Sequence, residues 1–205
     1  MMDRTREKII RAATPLFAEK GLGGVTVREI CRAAKVNGAL VNYHFRNKEG
    51  LYRECCERVY AETRGAEMAR LVAGVHDAAS WRAAVTTWIE AFADALHATE
   101  GLVAFAAGLY RRESIEPSAM QPYLDERFAR PARETLFRLM RFATADDREA
   151  HLWAQSVWMQ LAAPTLFAPV WRVCHRPADV DERAWTASST AFVIDHVLKS
   201  LAYRG

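Results

Sequence analysis

The sequence predicts an all-α protein: an N-terminal three-helix helix-turn-helix domain over residues 1–50, followed by a helical bundle over residues 51–205. Three observations predict it. Apolar residues recur at helical spacing, and no β-branched alternating run bounded by turn residues occurs anywhere. Alanine, the strongest helix former, fills 36 of 205 positions. Half of the ten glycines fall in the first fifty residues, at Gly21, Gly23, Gly24, Gly38 and Gly50, so the head has short helices and tight turns.

The elements follow in order. From Thr5 to Lys20, Ile9, Ala13, Leu16 and Phe17 fall on one stripe, with Gly21 as the C-terminal stop and Pro15 off the stripe, where a bend is expected. Thr26 and Glu29 have the spacing of a capping box, which starts a short helix at Val27–Ala34. Lys35-Val36-Asn37 reads as a turn ending in an Asn N-cap, and Gly38–Phe45 as a second short helix. Two helices of under ten residues joined by three make a helix-turn-helix pattern. Longer helices are expected near Lys48–Val72, Ser80–Thr99, Leu102–Arg112, Met120–Phe142, Asp146–Ala163 and Asp181–Tyr203. The longest loop is expected from Pro164 to Val180, which holds three prolines.

The formal charge of +3 is unevenly spread. Residues 1–50 carry ten Lys/Arg against five Asp/Glu, and residues 51–205 eighteen against twenty, so a basic head sits on a near-neutral body. That body disfavours a nonspecific nucleic-acid coat. Cys31, Cys55, Cys56 and Cys174 form no C-x-x-C pair, which predicts reduced thiols and no metal site. The charged opening MMDRTREKII lacks the apolar core of a signal peptide, so a cytoplasmic protein is expected. The run His151–Trp171 has no Asp, Glu, Lys or Arg, but Gln155, Gln160, Pro164 and Pro169 favour a helix buried in a core or subunit interface over a membrane span.

Residues 26–48, TVREICRAAKVNGALVNYHFRNK, carry the functional signal. Gly38 and Ala39 keep the start of the second helix small, so that its N-terminal end can approach a DNA groove; Asn37 caps it. Asn42 has the two-point geometry for adenine, and Ala39 suits a thymine methyl. Thr26, Arg28, Tyr43, His44 and Lys48 are candidate phosphate donors. Lys48 opposes the dipole of the helix it begins, a position that a phosphate would relieve. Short charged helical hairpins that bind nothing are equally common in all-α proteins.

The run Ile9–Leu51 resembles the DNA-binding domain of TetR-type transcriptional regulators. Its markers are Ala12-Ala13, Leu16-Phe17, Gly21, Thr26-Val27, Ile30, Ala34, Val36, His44-Phe45 and Lys48-Glu49. The resemblance implies a homodimeric, mostly repressing bacterial regulator of double-stranded operator DNA, with a divergent helical domain for a small-molecule effector. Many members have Tyr where Asn42 stands and Gly where Lys35 stands, departures that bear on the operator sequence rather than the fold. Leu109–Pro117, LYRRESIEP, is similar to the CecR-like branch.

Under that plan the helix from Lys48 transmits a shift from the body to the head. Candidate effector contacts are Trp88, Phe92, Phe105, Tyr110, Arg111, Arg112, Tyr123 and Trp158, with a core role as the plain alternative for each. Candidate dimer contacts are Trp153, Val157 and Leu161 on one apolar helix and Trp185 and Phe192 on another. No G-x-S-x-G, H-E-x-x-H or P-loop occurs, and the adjacent Cys174 and His175 make a poor ligand pair, so neither an enzyme nor a cofactor is expected.

Overall fold

A computed structural model of the protein describes residues 4–62, 65–68, 70–97, 101–167 and 181–205. Among these, every regular element is helical: α1 (Arg4–Gly24), α2 (Val27–Ala34), α3 (Gly38–Phe45), α4 (Lys48–Glu62), α5 (Gly65–Met68), a 3-10 turn (Leu71–Gly74), α6 (Ala78–His97), α7 (Gly101–Ile115), α8 (Gln121–Leu124), a π turn (Asp125–Ala129), α9 (Arg130–Arg141), α10 (Asp147–Leu166) and α11 (Glu182–Ser200). Trp171, Cys174, His175 and most of the expected 164–180 loop lie outside the described residues.

The chain packs as two compact units. One is Met1–Thr63 with Ala98–Tyr123, the other Arg64–His97 with Leu124–Gly205. In the first, α1 packs on α2, α4 and α7, and Ile9, Phe17, Ile30, Val41, Leu51 and Tyr52 are buried. The edge of the Phe17 ring meets Tyr52 at 5.0 Å between centroids. The stripe of α1 differs slightly from expectation, since Leu16 is half-buried while Ile10 and Thr14 are buried. The Thr14 hydroxyl donates to the Ile10 carbonyl at 2.8 Å, which satisfies it inside the core. Pro15 stands on the exposed side of α1. The non-helical dihedrals of α1 occur instead at Gly21 (φ 70°, ψ 178°), where an added Cβ would also come within 2.6 Å of Arg112 Cδ.

A polar network that periodicity does not reveal ties α4 to α7. The buried Glu113 carboxylate accepts from the Tyr52 hydroxyl at 3.0 Å and from the Ser118 N–H and hydroxyl at 2.9 Å each. Burial, together with the neighbouring Glu113 carboxylate, pushes the Tyr52 phenol above its ordinary value, so it remains a donor.

In the second unit, α6, α9, α10 and α11 enclose Trp81, Trp88, Ile89, Leu136, Leu139 and Val157. The Trp81 indole N–H donates to the Leu139 carbonyl at 2.8 Å. Several expected helices are divided or extended. Over the expected Lys48–Val72 helix, the described elements are α4 to Glu62, α5 at Gly65–Met68 and the 3-10 turn from Leu71. The Met120–Phe142 helix is interrupted at Asp125–Ala129, because Pro131 has no N–H for the Arg127 carbonyl and the backbone widens, with Arg130 N–H bonding Asp125. α6 begins at Ala78, where Asp77 and Ser80 cap each other at 2.7 and 3.0 Å. Pro164 does not end α10, which continues to Leu166. Among the described residues, no helix is long and apolar enough to cross a membrane.

Candidate nucleic-acid interface

The capping box forms as its spacing requires. Thr26 (φ −99°, ψ 150°) accepts at its hydroxyl from the Glu29 N–H, while Glu29 Oε2 accepts from the Thr26 N–H and hydroxyl at 2.8 Å each. Bonds from the Thr26 N–H, the Thr26 hydroxyl and Lys20 hold the Glu29 carboxyl down to about 2. The Thr26 hydroxyl proton is therefore already given to Glu29. What α2 offers a phosphate is its open end, where the first N–H groups have no intrahelical acceptor, together with the exposed Arg28.

α3 is held on one side and open on the other. Asn37 (φ −78°, ψ 145°) accepts from the Ala39 N–H at 3.0 Å, Val41 and Phe45 are buried beneath, and Ala39, Asn42 and Tyr43 face outward, Tyr43 at 81% exposure. His44 is half-buried, its ring 5.0 Å from that of Tyr43. An added Cβ at Gly38 would meet only Cys31 Sγ at 3.9 Å, so packing does not demand glycine there. Its smallness is free to serve a ligand.

Both turns that bracket α3 are set by positive φ. Lys35 (φ 52°, ψ 51°) ends α2 in the left-handed region, where its Cβ is unfavourable. Arg46 (φ 68°, ψ −46°) centres a γ-turn closed by the Asn47 N–H on the Phe45 carbonyl at 2.8 Å. Asn47 then caps α4 through the Gly50 N–H at 2.7 Å, and a Cβ at Gly50 would lie 2.1 Å from the Phe45 carbonyl oxygen. Sequence reasoning missed Arg46 and Asn47 and read Gly50 only as one of the turn glycines; the Asn-x-x-Gly spacing before α4 was the available signal.

Lys48 is placed otherwise than as a simple phosphate donor. Its ammonium donates to the Leu22 and Val25 carbonyls at 2.7 and 3.0 Å, which ties the start of α4 to the α1–α2 turn. Two of its three protons are spent on the fold, because a part-buried ammonium takes the nearest unpaired carbonyls.

The effector candidates fall in both units. Trp88, Phe92 and Trp158 cluster in the second unit, with Phe92 4.3 Å from Trp158 and Arg133 over the Trp158 ring. Phe105, Tyr110, Arg111, Arg112 and Tyr123 belong to the first. There Arg112 donates to the Glu19 carbonyl and Tyr123 to Glu57 at 2.6 Å, while Arg111 is exposed. Of the dimer candidates, Val157 and Leu161 face their own unit's core, Trp153 and Trp185 are half-buried, and Phe192 is 65% exposed. The exposed apolar side chains near them are Leu152 and Met159, which sequence reasoning passed over. Burial pushes the Cys55 thiol up to about 12 and raises Cys56 as well, so both are protonated packing groups. Among the described residues no cluster of His, Cys, Asp and Glu suits a metal.

Two short helices joined by a three-residue turn, the second packed underneath and polar outside, define a helix-turn-helix domain. Residues 9–55 match the family described as bacterial regulatory proteins, tetR family. The probable HTH-type transcriptional regulator YttP of Bacillus subtilis is 43% identical over 56 residues, 27% of either chain. The HTH-type transcriptional repressor NicS of Pseudomonas putida is 37% identical over 65 residues, 32% of this chain and 31% of that one. These alignments span under a third of the relatives' length and so speak for the head. Beyond it the likeness is one of fold: the crystal structure of NalD, the secondary repressor of an efflux pump in Pseudomonas aeruginosa, covers 97% of both chains with a TM-score of 0.68 at 19% identity.

Proposed function

We propose that this protein is a homodimeric, ligand-responsive transcriptional regulator of the cytoplasm, a repressor that binds a palindromic operator through α3. The observation that carries the reading is α3 itself. A helix whose underside is locked by Val41 and Phe45 presents Ala39, Asn42 and Tyr43 to solvent. Repression is favoured because NicS and NalD are named repressors. Arg28, the amides opening α2 and the remaining proton of Lys48 supply phosphate contacts, and Asn42 reads a base edge.

Two helix faces support the dimer. Leu152, Gln155, Ser156 and Met159 are exposed at i, i+3, i+4 and i+7 on α10, and Ala184, Ala187, Ser188 and Ala191 repeat that spacing on α11 beside Phe192. A twofold partner covering them would pair two α3 helices about one DNA turn apart, ~34 Å. For the effector, the Trp88–Phe92–Trp158 cluster is the apolar candidate, since the buried Trp88 indole N–H has no acceptor among the described residues. The similarity to the CecR-like branch rests on Leu109–Pro117 alone, of which the buried Glu113 is a structural member.

A mobility-shift titration with DNA from upstream of the protein's own gene, against scrambled competitor, tests the reading. Tight binding to the first is expected, and Asn42→Ala should change the preference among operator variants. Sequence-independent affinity, or none, overturns it.

A further inference from the structure

Between the first turns of α1 and the end of α2 lies an open groove of about 490 Å³, lined by Arg4, Lys8 and Arg11 over Ala12, Ala33 and Ala34. We infer that this groove is a second, sequence-independent seat for DNA phosphates, flanking the bases that α3 reads. It rests on the DNA-binding reading of α3 and extends the contact surface to an element outside the helix-turn-helix pair.

The charges make the case. Arg4, Lys8 and Arg11 stand exposed at i, i+4 and i+7, so each repels the next, and all lie in the first turns of a helix whose N-terminal dipole is also positive. Elsewhere on α1 the cations are matched: Arg6 pairs with Glu54 at 2.5 Å and Lys20 with Glu29 at 3.0 Å. Glu7 also lines the groove, but its carboxylate is taken by Arg58. Among the described residues, no carboxylate pairs with Arg4, Lys8 or Arg11. Three unmatched cations in a row are unfavourable in the free protein and become favourable when an anion occupies the groove.

The shape and its continuity select the anion. The α2 wall, Ala33 and Ala34, carries nothing beyond a methyl group, so a polymer backbone can approach closely. The chain passes from Ala34 through Lys35 directly to the Asn37 cap of α3, which puts the groove beside the reading end of that helix. Arg28, Arg32 and Lys35, exposed at i, i+4 and i+7 along α2, extend the basic band toward it. A DNA strand leaving the groove read by α3 meets this band; an acidic protein partner would have no reason to lie there.

The test compares the full-length protein with a triple variant, Arg4→Gln, Lys8→Gln and Arg11→Gln, and with Arg138→Gln, an exposed arginine of α9, as control. Salt-dependent anisotropy titrations use the footprinted upstream duplex and a scrambled duplex. The triple variant should lose affinity for both by a similar factor, and its slope of log K against log salt should fall by about 0.9 per lost phosphate contact, up to about 2.7. Hydroxyl-radical footprints should shorten at the operator flanks while protection at the centre remains. An unchanged slope and footprint with operator binding intact overturns the groove alone. Absence of DNA binding by the unsubstituted protein overturns the α3 reading and the groove together. Circular dichroism checks that the exposed substitutions leave the fold in place.

Discussion

The unit that carries α3 and the unit built on α6, α9, α10 and α11 hold their helices by different means. In the first, both described non-glycine residues with positive φ, Lys35 and Arg46, bracket α3; Gly21 and Gly50 admit close approaches, and a buried carboxylate joins α4 to α7. In the second, indole and aliphatic side chains fill the interior, and the only described positive φ is at the terminal Gly205. The difference teaches where precision is required. Strained turns and hydrogen bonds fix the direction of a helix, whereas apolar burial supplies stability with less demand on angle.

The comparison breaks most easily in the second unit. Trp81→Ala should cost about 4 kcal/mol in urea unfolding, because it empties a fully buried site. Trp81→Phe should cost about 1 kcal/mol more than Trp88→Phe, since only Trp81 loses an indole hydrogen bond. Equal costs would show that the Leu139 contact contributes nothing.

In the first unit, Gly50→Ala should destabilise by about 3 kcal/mol, because the new Cβ meets backbone that cannot swing aside. A loss below that of an ordinary surface change would mean the γ-turn yields freely. Next comes Lys48→Met, expected to cost about 2 kcal/mol by stranding the Leu22 and Val25 carbonyls, and to weaken binding to all duplexes alike. An unchanged midpoint with a lower salt slope would return Lys48 to a purely phosphate-binding role.

The smallest effect concerns pH. The Glu29 carboxyl is held at about 2 in the fold against an ordinary 4.5, so its contribution is present above about 4.5 and is lost as pH falls through about 2. Unfolding midpoints should therefore decline across that window, and Glu29→Gln should flatten the decline. Equal slopes for the two proteins would show the capping box to be idle.

Much of the head was legible because its signals are local. The Thr26 to Glu29 spacing, the Asn37 cap and the short helices Val27–Ala34 and Gly38–Phe45 all depend on residues within four positions of one another. The longer helices were legible in kind but not in extent, since Pro131 altered the backbone while Pro164 did not. Burial misled where composition was used for placement: an apolar run names the helix that packs, not which side of it packs inward. Val157 and Leu161 therefore lie in their own core, while Leu152 and Met159 lie outside.

By itself, then, the sequence determined the helical class, the extent of α3 and its caps, because propensity, periodicity and capping act over a few residues of one chain. Tertiary structure alone decided that Lys48 serves two carbonyls of a distant turn, that Glu113 is buried against Tyr52, and that Arg4, Lys8 and Arg11 line a groove closed by α2. Those facts depend on groups 20 or more residues apart, whose hydrogen bonds and charges interact only after packing has brought them together and removed the water between them.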